Sequence, residues 1–270
     1  MMPSDDDILR RLEFAVEIAW EAGAVTLEHF RRQDLLVERK ADMSPVTIAD
    51  RRAEELLRRR IAERFAGDGV VGEEMEATPG NSGYQWVLDP IDGTKSFIHG
   101  IPLYTTLIAV LHENEPRLGV IHAPALAETV YAASGHGCWY GAKGGAQPQA
   151  AAVSKVPRLN EGLLVTTEVA AFSTHRKPDA TAVYLELQNR ARLVRTWGDG
   201  YGYLMVATGR AEAMIDPLVN VWDAAPLQPI IEEAGGKFTD WQGQATIHTG
   251  DAIATNGLVM DEVLAATRGW

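Results

Sequence analysis

The sequence predicts an α+β protein, and three observations carry that expectation. Apolar residues recur at helical spacing over the first third of the chain, short β-rich runs follow one another closely in the middle, and helical and strand-like segments alternate thereafter. Ser4, with Asp7 three residues on, reads as a capping box. Ile8, Leu12, Ala15, Ala19 and Ala22 then share one helical face, so a long helix is expected to run to about Phe30. Thr47 or Asp50 opens a second helix, with Ala53, Leu57, Ile61 and Phe65 as its inward stripe. After Gly69 the period changes. Trp86-Val87-Leu88 is a short strand expected to end at Asp89-Pro90, because proline cannot donate to a ladder. Thr105 to Leu111, Leu118 to Ile121 and Thr129 to Ala132 read as strands joined by tight turns.

The stretch from Gly141 to Ala152, rich in Gly, Ala, Gln and Pro, is the weakest link, and divides the chain into expected halves of 1–145 and 146–270. Beyond it, Leu163 to Thr167 reads as a strand and Asp179 to Arg192 as a helix. Tyr201 to Ala207 reads as helix, Ala211 to Ile215 as strand, and Asp223 to Ala234 as a helix closed by Gly235-Gly236. Pro226 and Pro229 inside that last helix predict an irregular course.

At 270 residues with 46% hydrophobic content, the chain has enough material for a full interior. A single cysteine, Cys138, allows no disulfide within the chain and fits a reducing cytoplasm, where a buried inert thiol is its expected role. The acidic N-terminus lacks the apolar stretch of a secretory signal, and no apolar run approaches the ~18 residues of a membrane span. A net charge of -12 argues against nucleic acid and anionic membrane as partners. The same charge repels any phosphorylated small molecule unless cations reverse the local sign.

Three acidic segments stand out: Gly72-Glu73-Glu74, Asp89-Pro90-Ile91-Asp92-Gly93-Thr94 and Trp222-Asp223-Ala224-Ala225. In the middle one, a turn could aim the Asp89 and Asp92 carboxylates and the Ile91 carbonyl at one point. Oxygen-only ligands of this kind suit Mg2+ or Mn2+. Gly93 lets backbone approach a bound group, and amides at a turn or helix start suit phosphate oxygens. Taken singly, each segment has an ordinary explanation: Asp-Pro and Asp-Gly are turn pairs, paired glutamates mark a solvated face, and Asp223 suits a helix cap. The seven histidines show no metal-ligand spacing and read as structural or surface residues.

Together and in this order, the segments resemble the inositol monophosphatase family. The likeness runs from Lys40-Ala41-Asp42 and Pro45 to Asp50 through to Trp222-Asp223 and Glu233 to Gly236, with Asp89 to Thr94 as its most specific part. The resemblance implies a layered α-β-α-β-α sandwich like that of fructose bisphosphatases, and metal-dependent hydrolysis of a small phosphate monoester. It implies two or three Mg2+ ions, with Glu73, Asp89 and the Ile91 carbonyl on one ion and Asp89, Asp92 and Asp223 on another. Asp92, Gly93, Thr94 and Lys95 would hold the phosphate, while Thr94 and Asp50, with Glu73, would orient and deprotonate the attacking water. Most metal ligands would then come from the N-terminal half, and the substrate residues and the last ligand from the C-terminal half. The family is often dimeric, so the resemblance also leaves room for a homodimer.

Arg195 to Tyr203, Lys95-Ser96-Phe97 and Asp216-Pro217 resemble the histidinol-phosphate phosphatase branch. That likeness places Asp199, Asp216 and Arg195, with Asp223, beside the leaving group, where carboxylates would meet the ammonium and imidazole of histidinol. Trp197, Tyr201 and Tyr203 also fit as core aromatics, and Asp216 would equally accept hydrogen bonds from inositol hydroxyls, so an inositol phosphate is the alternative substrate. A phosphatase with an aspartyl nucleophile needs aspartates two apart, whereas Asp89 and Asp92 are three apart. A phosphate-metabolite binding protein would be expected to have lost a ligand, and none is missing here.

Overall fold

The computed structural model describes residues 5–41, 43–141 and 147–270; Ser4, Asp42 and residues 142–146 of the 141–152 link lie outside them. The first helix, α1 (Asp5–His29), buries Ile8, Leu12, Ala15, Ala19 and Ala22 on one face, as their spacing predicts. A small antiparallel hairpin, β1 (Val37–Arg39) and β2 (Pro45–Thr47), was not anticipated. It delivers the chain to α2 (Ile48–Arg64), whose Thr47 cap and Asp50 form a capping box.

A seven-stranded sheet follows: β3 (Gly69–Gly72), β4 (Tyr84–Asp92), β5 (Thr105–His112), β6 (Glu115–Ala123), β7 (Glu128–Ala133), β8 (Cys138–Gly141) and β9 (Gln149–Ala150). The strands lie in chain order, with β3 parallel to β4 and every other pair antiparallel. The short helix α3 (Thr94–Ile98) lies between β4 and β5, and a single 3-10 turn (Pro124–Leu126) lies between β6 and β7. Both faces are covered. Ile108 and Val110 of β5 join the core under α1 and α2, and Leu107, Ala109 and Leu111 join the core on the other side. Such period-two alternation with both sets apolar is what a central strand requires.

The second sheet has the order β11-β10-β12-β14-β13, from β10 (Leu163–Thr166), β11 (Leu193–Arg195), β12 (Ala213–Asp216), β13 (Lys237–Thr239) and β14 (Ala252–Thr255). Between the sheets lie α6 (Gly200–Ala207) and α7 (Val221–Glu233), which share one core with β5, β6 and β12. Outside it pack α4 (Ala171–Thr174), α5 (Thr181–Arg190) and α8 (Met260–Thr267) around Trp241 and Phe172. Helix pair, sheet, helix pair, sheet and outer helices make a layered α-β-α-β-α sandwich, as expected. Cys138 is buried, and desolvation pushes its thiol up to about 12, consistent with an inert role. Among the described residues no helix is long and apolar enough to cross a membrane.

Candidate metal and phosphate centre

Strand β4 does not stop at Asp89-Pro90. It continues to Asp92, and the register slips between the pairs Asp89–Leu107 and Asp92–Thr105. Three steps on β4 oppose two on β5, so one residue is extra and the strand bulges. The bulge accommodates Pro90, which has no N–H to offer, and Thr106 Oγ1 donates to its carbonyl at 2.9 Å. It also has a geometric consequence. Residues three apart on a regular strand point to opposite faces, and one inserted residue returns Asp92 to the side of Asp89.

The third carboxylate arrives from the other sheet's side of the molecule. Helix α7 starts after Asn220, and Asp223 Oδ2 accepts from the Asn220 backbone N–H at 2.7 Å. The cap is therefore Asn220 and not Asp223, which sits at the third helical position as the reciprocal partner of a capping box and also stands against the bulge. Ligand oxygens of Asp89, Asp92 and Asp223 all lie within 4.8 Å of one another. Asp92 Oδ2 accepts from Thr105 Oγ1 at 2.7 Å and the Gly200 N–H at 2.6 Å, and Asp89 Oδ1 accepts from the Ile91 N–H at 3.0 Å. An all-oxygen set with orientation fixed by backbone donors fits a hard divalent cation.

Glu73 lies on the wall of the same cleft. One ammonium, Lys40 Nζ, bridges it to Glu74 at 2.7 Å from each. Beneath them sits a residue that sequence periodicity missed. Glu54 on α2 is fully buried; its Oε2 accepts the Glu74 N–H at 2.8 Å and its Oε1 accepts Arg58 Nε at 2.7 Å. Gly72 makes this possible, because a Cβ there would fall 2.2 Å from Glu54 Oε1.

The cleft has a volume of about 440 Å3 and reaches from Pro45 and Glu73 across the bulge to Thr167, Asp199 and Trp222. Gly93 has φ +81, and a Cβ on it would meet Asp199 Oδ2 at 2.9 Å. Thr94 opens α3 and its hydroxyl donates to the Ile91 carbonyl at 3.0 Å. Asp50 is fully buried: its Oδ2 accepts from the Thr47 amide and hydroxyl, while Oδ1 has no partner among the described residues. Burial and the nearby Glu73 push Asp50 up to about 6.

Charge crowding dominates this cleft. Desolvation, followed by the Glu73, Asp92 and Asp223 charges, holds Asp89 well above the usual carboxylate range. Asp92 is raised likewise by desolvation, Asp199 and Asp223. Asp223 rises to about 7, chiefly through desolvation. A bound cation relieves this repulsion.

Two of the expected substrate residues, Arg195 and Asp216, do not line the main cleft. Arg195 is exposed on the edge strand β11, donates to the neighbouring Val194 carbonyl and stands over the Trp197 ring, so it does not line the cleft. Trp197 itself is 38% exposed rather than core. Asp216 is buried beneath the cleft, in a cavity of about 70 Å3 that it shares with Asp92, Asp199 and Asp223. There it accepts a 2.8 Å hydrogen bond from the Tyr203 hydroxyl, and desolvation pushes it up to about 8. An edge strand for Arg195 and the buried end of β12 for Asp216 give no periodic signal that would separate these two fates. Lys95 reaches the cleft, where it pairs with Glu168. His175, read as a surface residue, lines the cleft mouth.

The fold and this cleft define a layered α-β-α-β-α protein with a carboxylate cluster that could hold a hard divalent cation. Residues 7–269 match the inositol monophosphatase family. A histidinol-phosphatase of Chlorobaculum parvum is 41% identical, with 96% of each chain covered. A histidinol-phosphatase of Mycobacterium tuberculosis is 38% identical over 97% of each chain. Among solved structures, an IMPase of Thermotoga maritima superposes with a TM-score of 0.84 at 31% identity, covering 96% of each chain. The chain belongs to the inositol monophosphatase family, a family of metal-dependent phosphatases, and is a phosphoric monoester hydrolase.

Proposed function

We propose that the chain hydrolyses histidinol phosphate to histidinol and inorganic phosphate, as a step in histidine biosynthesis. The observation that carries this reading is the carboxylate cluster of Asp89, Asp92 and Asp223 opening into a cleft walled by further acids, in a chain 41% identical to a histidinol-phosphatase. The acidic wall suits a cationic leaving group better than a neutral polyol.

Asp89, Asp92 and Asp223, with Glu73 and the Ile91 carbonyl, would hold two or three Mg2+ ions. When bound, the ions neutralise the phosphate and lower the pKa of the attacking water. Gly93, Thr94 and Lys95, with Asp92, position the phosphoryl group. The Thr94 hydroxyl orients the water. Asp50, tuned to about 6 at its buried position, takes the water's proton. Asp199 and Asp216 border the leaving group, Asp199 from the cleft wall and Asp216 from beneath. Phosphoryl transfer needs mainly placement and charge neutralisation, which such a site supplies. We further propose a cytoplasmic homodimer, which sedimentation at micromolar concentration tests.

The deciding experiment compares kcat/KM with Mg2+ across histidinol phosphate, inositol 1-phosphate and glycerol 2-phosphate. Histidinol phosphate should lead, and exhaustive chelation should abolish turnover of all three. Faster turnover of inositol 1-phosphate would replace the proposed substrate, and undiminished turnover after chelation would reject the cation site.

A further inference from the structure

We propose that Glu168 is the receptor for the cationic end of the leaving group, and that Lys95 occupies it until substrate arrives. The inference rests on the histidinol phosphate reading and adds a residue and an exchange to it. Glu168 follows β10 at the strand's cleft end, and Lys95 follows Thr94 in the first turn of α3. Their side chains meet as an ion pair across the cleft, and both line it. His175, at the same mouth, adds a second cationizable neighbour whose field reaches Glu168. The Glu168 carboxylate therefore already faces an amine and an imidazole, the two basic groups that histidinol carries.

The pair is suited to exchange. Lys95 and Glu168 side chains are 70% and 56% exposed, and ion pairs this open contribute little to stability. Lys95 holds the Glu168 carboxyl below its ordinary range, so Glu168 is an anion at any working pH. The cleft wall also carries Glu73, Asp89, Asp92, Asp199 and Asp223, so Lys95 is the lysine placed to swing toward an incoming phosphate. That movement leaves Glu168 unpaired. A substrate carrying both phosphate and cation replaces each partner with its own opposite charge. A neutral polyol phosphate takes Lys95 and gives Glu168 nothing. Selectivity then comes from the penalty imposed on the wrong ester as well as from attraction of the right one.

The test is steady-state kinetics with Mg2+ on wild type, Glu168→Gln and Lys95→Met, using histidinol phosphate, glycerol 2-phosphate and free histidinol as a product inhibitor. Glu168→Gln should raise KM for histidinol phosphate by about two- to fivefold with a smaller change in kcat, as loss of one partly exposed charge pair predicts. The effect on glycerol 2-phosphate should be several-fold smaller. Free histidinol has no phosphate, so removing its competitor should tighten its inhibition in Lys95→Met and weaken it in Glu168→Gln. A residue that merely supports the cleft would move both variants the same way, and that result overturns the proposal, as does an equal loss on both esters. Glu168→Asp keeps the charge and should retain part of the preference. Wild-type preference for glycerol 2-phosphate would instead overturn the substrate reading itself, before any variant is compared.

Discussion

At the scale of single residues, the site sets folding against function. Asp89 is buried at the bulge with two other carboxylates within 4.8 Å, and desolvation raises its pKa before any neighbour is counted. A side chain so placed destabilises the empty site and is useful once cations are bound. Asp89→Asn keeps the shape and removes the charge. Its activity with Mg2+ should fall by at least ~10^2, the usual cost of losing one group that stabilises developing charge. In EDTA at pH 8 the same variant should melt no lower than wild type, because an uncompensated buried charge has gone. Parallel activity and calorimetric measurements check both halves, and activity within a few-fold of wild type would refute the ligand role. The types and spacing of these residues are legible in the sequence. Glu54 was not, since one polar residue beside an apolar helical stripe reads as a solvated flank, and only the fold brings Gly72 and Glu74 over it. Arg195 shows the opposite failure, because neighbours in sequence that suit a site do not reveal that an edge strand turns the side chain away.

At the scale of elements, helices with a clear apolar stripe and strands with alternation were readable to within a few residues, because local periodicity there agrees with burial. The bulge in β4 was not readable. Pro90 signals an interrupted ladder, but whether the strand ends or absorbs an extra residue depends on β5, which pairs across it. The two prolines of α7 mislead in a similar way: the helix runs unbroken from Val221 to Glu233, supported by the sheet against which it packs. Its seat is Gly119 on β6, where an added Cβ would come 2.0 Å from the Pro226 carbonyl oxygen. Gly119→Ala must therefore lift α7 away from the sheet, and Asp223 with it. It should cost about 1–3 kcal/mol of stability, the range for overpacking, and should weaken metal affinity although it lies outside the cleft. Thermal denaturation and Mg2+ titration by calorimetry check the pair of effects. Lost stability with unchanged Mg2+ affinity would show that α7 does not carry the site's geometry.

At the scale of the whole molecule, the net charge of -12 and the crowded cleft make stability depend jointly on pH and metal. The sign follows from the direction of the shifts. Asp50, Asp223 and Asp216 have folded values of about 6, 7 and 8, above the ~3.9 of an unfolded aspartate. A carboxyl raised by folding contributes stability that is fully present below its unfolded value and is lost as pH rises through its folded one. Without metal, Tm should therefore decline from about pH 5 to pH 8, as these groups ionise against one another. Mg2+ would bind the ionised forms of Asp223 and of its neighbours Asp89 and Asp92, whose carboxyls are likewise raised, so binding should release protons and the Tm gain from Mg2+ should be larger at pH 8 than at pH 6. General repulsion among surface charges also grows with pH, and Asp223→Asn separates the two: the surface contribution persists in that variant while the metal-linked one shrinks. Calorimetric scans at pH 5 to 8, with EDTA or Mg2+, measure the slopes. Titrations in buffers of different ionisation enthalpy count the protons released. A Tm gain from Mg2+ that is independent of pH, with no proton release, would mean that the carboxylates of this cleft are not what the metal meets.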